Sequence, residues 1–129
     1  NDRSMLAAVA AGAGVDTPAT PTFSDGTAGA VEPGAITVDL CASLVDRWLT
    51  VDEDRIGRAV ADMIDDHHEL VEGAAGVALA AAADHARTNP GSTIVVVTCG
   101  ANASADAVRR MLQAGTAAGA VAEIDEGRQ

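Results

Sequence analysis

Thr93–Asn102 reads TIVVVTCGAN, and this stretch decides the fold. Four apolar residues in a row, Ile94 to Val97, suit a strand covered on both faces, the habit of a parallel sheet. Asn89-Pro90-Gly91 punctuates its start and Gly100 its end. The next segment, Ala103 to Gln113, reads as a helix with Ala107, Val108, Met111 and Leu112 on one side. Strand, small-residue turn and helix make half a unit of an open α/β sheet. Ligands of such sheets bind beyond the carboxyl ends of the strands, which is where Cys99 and Asn102 fall. Many glycine turns at strand ends bind nothing, so geometry alone leaves both readings standing.

The 129 residues have room for one small domain, or for one piece of a larger one. With a single Trp (Trp48), a single Phe (Phe23) and no Tyr, the apolar content is mostly Ala and Val. That favours closely packed helices and a parallel sheet over a β-sandwich. The net charge of −11 argues against nucleic acid and anionic membrane as partners, since both need clustered basic side chains. No apolar run of roughly 18 residues is present, and the first residues lack an export-type apolar core. Cys41 and Cys99 have no metal spacing and read as reduced thiols of a cytoplasmic protein.

Along the chain, Ser4 to Ala11 reads as a short helix with Ser4 as its cap and Gly12 as its stop. Val15 to Phe23 is an extended Pro/Thr linker. Thr37 to Val45 should be helical with Leu40, Cys41 and Leu44 inward, and Trp48 to Val51 a short strand. Asp52 then opens a helix in which Ile56, Ala59, Val60, Met63 and Ile64 form one stripe. Its first turn holds Glu53 and Asp54, where the helix dipole favours negative charge. Ala74 to Arg87 is a second long helix, and Gly115 to Gln129 reads as a frayed tail. No internal repeat or domain boundary is visible. Asp65-Asp66-His67-His68 is not a metal site: consecutive helical residues point about 100° apart and cannot converge on one ion. No Ser/His/Asp triad is arguable either.

Several segments resemble, in order and spacing, the fold-type II pyridoxal-phosphate enzymes of the threonine/serine dehydratase (ammonia-lyase) and serine racemase family. TCGAN resembles the family's Ser/Cys-Gly-Gly-Asn turn. VEGAAGVALAA (Val71 to Ala81) resembles its EGAGAAALAA helix start, and LVDRWLTVDEDRI (Leu44 to Ile56) its LVDDIVTVSEEEI. SDGTAG (Ser24 to Gly29) resembles its Asp-Gly loop, and EPGAIT (Glu32 to Thr37) its approach to the next helix. NDRSMLAAVAAG (Asn1 to Gly12) resembles the segment after its Glu-Pro-Glu strand end. The resemblance covers nearly the whole chain up to about Leu112. Cys99 in place of the commoner Ser and Ala101 in place of Gly are departures from the pattern.

The resemblance implies an α/β fold, the C-terminal portion of the family's large three-layer domain, with parallel strands and packed helices. The cofactor it implies is pyridoxal phosphate, and the reaction is β-elimination of a hydroxy-amino acid to a 2-oxo acid and ammonia. It implies that Cys99 partners the pyridine nitrogen of the cofactor. Gly100, Asn102, Glu72 and the Asp25-Gly26 loop would stand around it. A thiol is a weak, near-neutral partner that does not force protonation of the ring, which suits elimination of a β-hydroxyl. Plainer readings stand beside these. Cys99 is also readable as a small buried residue at a strand end, Glu72 as a carboxylate favoured by a helix N-terminus, and Asp25-Gly26 as an ordinary turn. Asn102 orients the turn or donates to its backbone.

All eight basic residues are Arg, and no lysine is present. The chemistry needs a lysine amine to bond the cofactor's aldehyde and to move protons. The family's glycine-run phosphate cradle is missing as well. The expectation is therefore a fragment, cut just upstream of Asn1, that holds no catalytic residue and is inactive alone. The family's divalent-cation site is not carried over: its Glu lies upstream, and Ser4 stands where the racemase pattern has an Asp. Expected partners are the missing N-terminal part, a second subunit of a homo-oligomer and an amino-acid substrate. Serine racemase and the hydroxyectoine- or hydroxyaspartate-type lyases are alternatives within the family. Outside it stand a non-catalytic binding or assembly module and a pseudoenzyme fragment.

Overall fold

The computed structural model describes residues 2–125. Among them five α-helices occur in order: α1 (Ser4–Ala11), α2 (Ile36–Leu44), α3 (Glu53–His67), α4 (Gly73–Thr88) and α5 (Ala105–Asp125). A 3-10 turn spans Asp25–Thr27. The chain divides into two compact units, one running up to Thr22 and resuming over Thr27–Thr50, the other combining Phe23–Gly26 with the chain from Val51 onward.

In the second unit α3 is the central element. Ile56, Val60 and Met63, spaced as one helical stripe, are buried, as the sequence periodicity requires. Asp52 stands at the cap position in an extended conformation, but its side chain makes no capping bond. At the other end His68 takes a left-handed φ of 57°, and the amides of His68 and Glu69 return to Ile64 O and Met63 O. This closing loop satisfies the last carbonyls.

α4 and α5 both lie on α3 at glycines. A Cβ on Gly76 would meet Val60 Cγ2 at 2.9 Å and Ile56 Cγ2 at 3.0 Å, so α4 sits directly on the α3 stripe. A Cβ on Gly57 would meet Met111 O at 2.5 Å, and one on Gly115 would meet the Arg58 Cα at 3.0 Å. Two glycines on facing helices thus bring α3 and α5 almost backbone to backbone. Gly115, where the sequence reading begins a frayed tail, is instead a crossing point, and α5 runs on past Gln113 to Asp125. The expected tail begins inside this helix; residues 126–129 lie outside the described residues. Val60, Met63, Val71, Ala75 and Met111 form the core, with Val51, Ile56 and Ala80 beside it and Phe23 packed against both groups.

A polar strut reinforces the α3–α4 pair. The Arg55 guanidinium donates to Ala80 O at 3.2 Å and pairs with Asp84 Oδ2 at 2.5 Å, while Arg87 holds the other Asp84 oxygen. The Arg55 hydrogen bond, aided by both cations, holds the Asp84 carboxyl below the usual carboxylate range.

In the first unit α1 packs with α2, and Ser4, Ala8 and Val38 are buried. Ser4 is not the cap expected from sequence. Its hydroxyl donates to Asp2 Oδ1 at 2.6 Å and lies 2.6 Å from Thr17 Oγ1. Asp2 takes the capping part, accepting the Ser4 N–H at 3.0 Å and the Gly29 N–H at 3.3 Å. α2 also departs from its expected facing: Leu40 and Leu44 are 47% and 73% exposed, and Val38 is the inward residue.

The expected parallel sheet does not form among the described residues, which contain no strand. Thr93 to Cys99 and Trp48 to Val51 carry no regular secondary structure. A strand exists only as one side of a hydrogen-bonded ladder. Val95 and Val97 are 87% and 73% exposed.

Gly57→Ala should destabilise the chain by about 1–3 kcal/mol, because the methyl meets helix backbone that cannot yield. Gly12→Ala, where φ is 69° but the space is open, should cost about 1 kcal/mol from conformation alone; urea unfolding of both variants checks the order. Asp84 contributes stability above its unfolded pKa that is lost as pH falls through its depressed folded pKa. The thermal midpoint of Asp84→Asn should therefore lie below that of the parent at neutral pH and converge with it in acid.

Candidate functional site

The candidate site is built around the N-terminus of α4. Glu72 immediately precedes the helix, in an extended conformation (φ −81°, ψ 169°), and is half-buried. Its main-chain N–H donates to Gly100 O at 3.3 Å. Its carboxylate reaches the same turn: Oε2 accepts the Asn102 N–H at 2.9 Å. The two bonds straddle Ala101 and close a ring between the start of α4 and the Cys99–Asn102 turn.

Glycine makes that ring possible. Gly100 has φ 70°, in the left-handed region, and a Cβ there would stand 2.7 Å from Glu72 Oε2. On the other side, a Cβ on Gly26 would meet Glu72 Oε1 at 3.1 Å, and one on Gly73 would fall 1.9 Å from Phe23 O. The 23–26 segment and the 99–102 turn therefore both abut the Glu72-Gly73 pair. Negative charge is favoured at this helix start by the unpaired N–H groups of the first turn.

Of the residues singled out from sequence, Glu72, Gly26, Gly100 and Asn102 come together. Asn102 enters through its backbone N–H. Asp25 belongs to the same 3-10 turn as Gly26 and is exposed. Cys99 precedes Gly100 and carries a free, exposed thiol, so the reading as a small buried cysteine does not hold in this chain. The close approach allowed by Gly73 is to the Phe23 carbonyl. Sequence reasoning missed Glu53, whose Oε2 accepts the Phe23 N–H at 2.6 Å and so ties the 23–26 segment to the start of α3. Its position in a first helical turn signals only a favourable dipole contact, since the partner lies thirty residues away in sequence. Among the described residues no group of three His, Cys, Asp or Glu side chains is placed to hold an ion.

The sequence profile of the pyridoxal-phosphate dependent enzymes matches residues 2–100, which end on the Cys99-Gly100 turn. The chain belongs to the pyridoxal-phosphate-dependent enzyme family. It is also 28% identical over 115 residues to the L-threonine ammonia-lyase of Thermotoga maritima. The match takes in 89% of this chain and 28% of that relative, so the chain spans well under a third of the relative's length.

The residues present fit one edge of the family's cofactor and no more. The space above Gly100 is filled by the Glu72 carboxylate, so this glycine serves protein packing and is not a cradle for the group. The exposed Cys99 thiol beside it is a weak hydrogen-bond donor of the kind a pyridine nitrogen accepts. An amine for the cofactor's aldehyde has no candidate in a chain whose basic residues are all Arg.

Alkylation should discriminate the two thiols. Cys99 is exposed and Cys41 half-buried, so brief iodoacetamide treatment and peptide mass spectrometry should show Cys99 labelled several-fold faster, reactivity following access and thiolate character.

Proposed function

We propose that this chain forms one wall of the cofactor cleft of a threonine/serine ammonia-lyase-type enzyme. In that reading Cys99 meets the ring nitrogen, with Gly100, Asn102, Glu72 and the Asp25-Gly26 turn behind it. The observation that carries the reading is the coincidence of two things at one place. The family match runs to Gly100, and an exposed thiol stands there, on a turn anchored to a helix N-terminus.

The group, when bound, supplies an electron sink for breaking bonds at the substrate's α- and β-carbons. The part of this chain is positional. Cys99 offers a thiol, a weak hydrogen-bonding partner that forces no proton onto the ring. Glu72 and Gly100 fix the turn that carries the thiol, and Gly26 lets a second loop close against the same carboxylate. The lysine, the phosphate cradle and the substrate-carboxylate loop lie, in this reading, on polypeptide N-terminal to these residues. The exposed Val95 and Val97 support it, because β-branched residues left bare suit a strand whose neighbours come from elsewhere in an α/β sheet.

The proposed reaction is β-elimination of a small hydroxy-amino acid to a 2-oxo acid and ammonia, in a cytoplasmic homo-oligomer with no nucleic-acid or membrane partner. No helix among the described residues is long and apolar enough to cross a membrane. The absence of lysine favours a second reading, that of a non-catalytic module or pseudoenzyme fragment contributing a wall without chemistry.

A chimera decides between them. The chain replaces the matching 115-residue stretch of the Thermotoga maritima threonine ammonia-lyase, whose own N-terminal part is retained. Cofactor absorbance together with ammonia release from threonine or serine is the expected result, and Cys99→Ala should lower kcat/KM by about tenfold, the worth of one hydrogen bond. A folded chimera that binds the cofactor and releases no ammonia from either amino acid would sink the ammonia-lyase reading.

A further inference from the structure

We infer that Glu72 is a positioning residue: it sets the place of the Cys99 thiol by holding the backbone of the turn just beyond it, and does not itself touch the cofactor. The inference rests on the cofactor-wall reading and adds to it a division of labour between two residues that sequence alone leaves side by side.

Three observations carry it. First, the Glu72 carboxylate is engaged by the protein: Oε2 accepts the Asn102 N–H at 2.9 Å, and the main-chain N–H of the same residue donates to Gly100 O. A residue bonded to both ends of a three-residue turn fixes the conformation of that turn. Second, the neighbours of the carboxylate are trimmed to admit it. A Cβ at Gly100 would meet Oε2 at 2.7 Å and Cδ at 3.2 Å, and a Cβ at Gly26 would meet Oε1 at 3.1 Å. Third, Cys99 is joined directly to Gly100, whose φ of 70° is a conformation an ordinary side chain resists. The direction in which Cys99 projects therefore depends on the constraint that Glu72 places on residues 100–102.

A carboxylate is a better acceptor for a backbone N–H than a neutral amide, yet an amide oxygen of the same reach still accepts. Positioning thus needs an acceptor at this place and not a charge. Glu72→Gln should keep the clamp. Glu72→Ala should lose it, and Gly100→Ala should push the carboxylate away.

The test is nuclear magnetic resonance of the chimera described above, in which the relative's N-terminal part is retained, tracking amide exchange at Asn102 and the amide shifts of Cys99 to Asn102 as pyridoxal phosphate is added. In the parent, the unsubstituted chimera, these amides should move with the cofactor. Glu72→Ala should speed Asn102 exchange by about tenfold and weaken the titration by a similar factor, the scale of one lost hydrogen bond. Glu72→Gln should leave both within about twofold of the parent. Asn102 exchange unchanged in Glu72→Ala overturns the inference. So does Glu72→Gln behaving as Glu72→Ala, which would mean that the charge is what the site uses. If Glu72→Ala unfolds the chain, the comparison of parent, Glu72→Gln and Gly100→Ala decides: Gly100→Ala should speed Asn102 exchange while Glu72→Gln does not. If cofactor shifts none of the four amides while Asn102 exchange still depends on Glu72, the clamp is upheld and the cofactor-wall reading fails instead.

Discussion

The second unit depends on how closely α4 and α5 approach α3, and that approach is set by three glycines. Gly57 and Gly115 face one another across the α3–α5 crossing, and Gly76 lets α4 rest on Ile56 and Val60. Side chains at these places would separate the helices by the width of a methyl or more, and an interior packed at close to crystalline density does not absorb that without loss of contacts. The chain has few large apolar residues, with one Phe and one Trp. A core of Val, Ala and Met is sufficient because the helices are close enough for small side chains to fill the space between them.

That arrangement fixes the site, because the same α4 that packs on α3 presents Glu72 at its start. The residue gathers two segments far from it in sequence. Gly26 stands against one carboxylate oxygen, and Gly100 with Asn102 against the other. Glu53 of α3 secures the first of these segments through the Phe23 amide. Helix packing and site geometry are thus one construction: two acidic residues at two helix N-termini hold two loops through backbone amides, where the positive end of each helix already favours them.

The chain leaves apolar surface bare in both units. In the second it is the run around Val95 and Val97, and in the first it is the Leu40 and Leu44 side of α2. Contiguous apolar surface of this kind marks places made to be covered. The family supplies a consistent account: the T. maritima relative is more than three times as long as the part matched here, and a parallel strand is ordinarily covered on both faces.

Much was legible in the residues themselves. The α3 stripe comes from helical spacing alone, and the span of α1 from the Gly12 stop. The family resemblance was carried by short segments whose order needs no structure to read. Misreadings fell where a local signal had a distant cause. Gly115 reads as the start of a frayed tail because its small, flexible neighbourhood gives no local reason for order; it lies within α5, where Arg58 backbone occupies the place of its missing side chain. Ser4 reads as a cap, but its hydroxyl is taken by Asp2 and Thr17. The apolar run Ile94 to Val97 specifies strand geometry without specifying a partner, and no sheet forms among the described residues because a ladder belongs to two segments and not to one. The sequence by itself determined where the first four helices lie, the family and the absence of lysine. Only the tertiary structure decided which glycines are contacts, which carboxylates hold loops and that Cys99 stands exposed. Those facts depend on residues thirty or more positions apart meeting in space, and no local pattern encodes such a meeting.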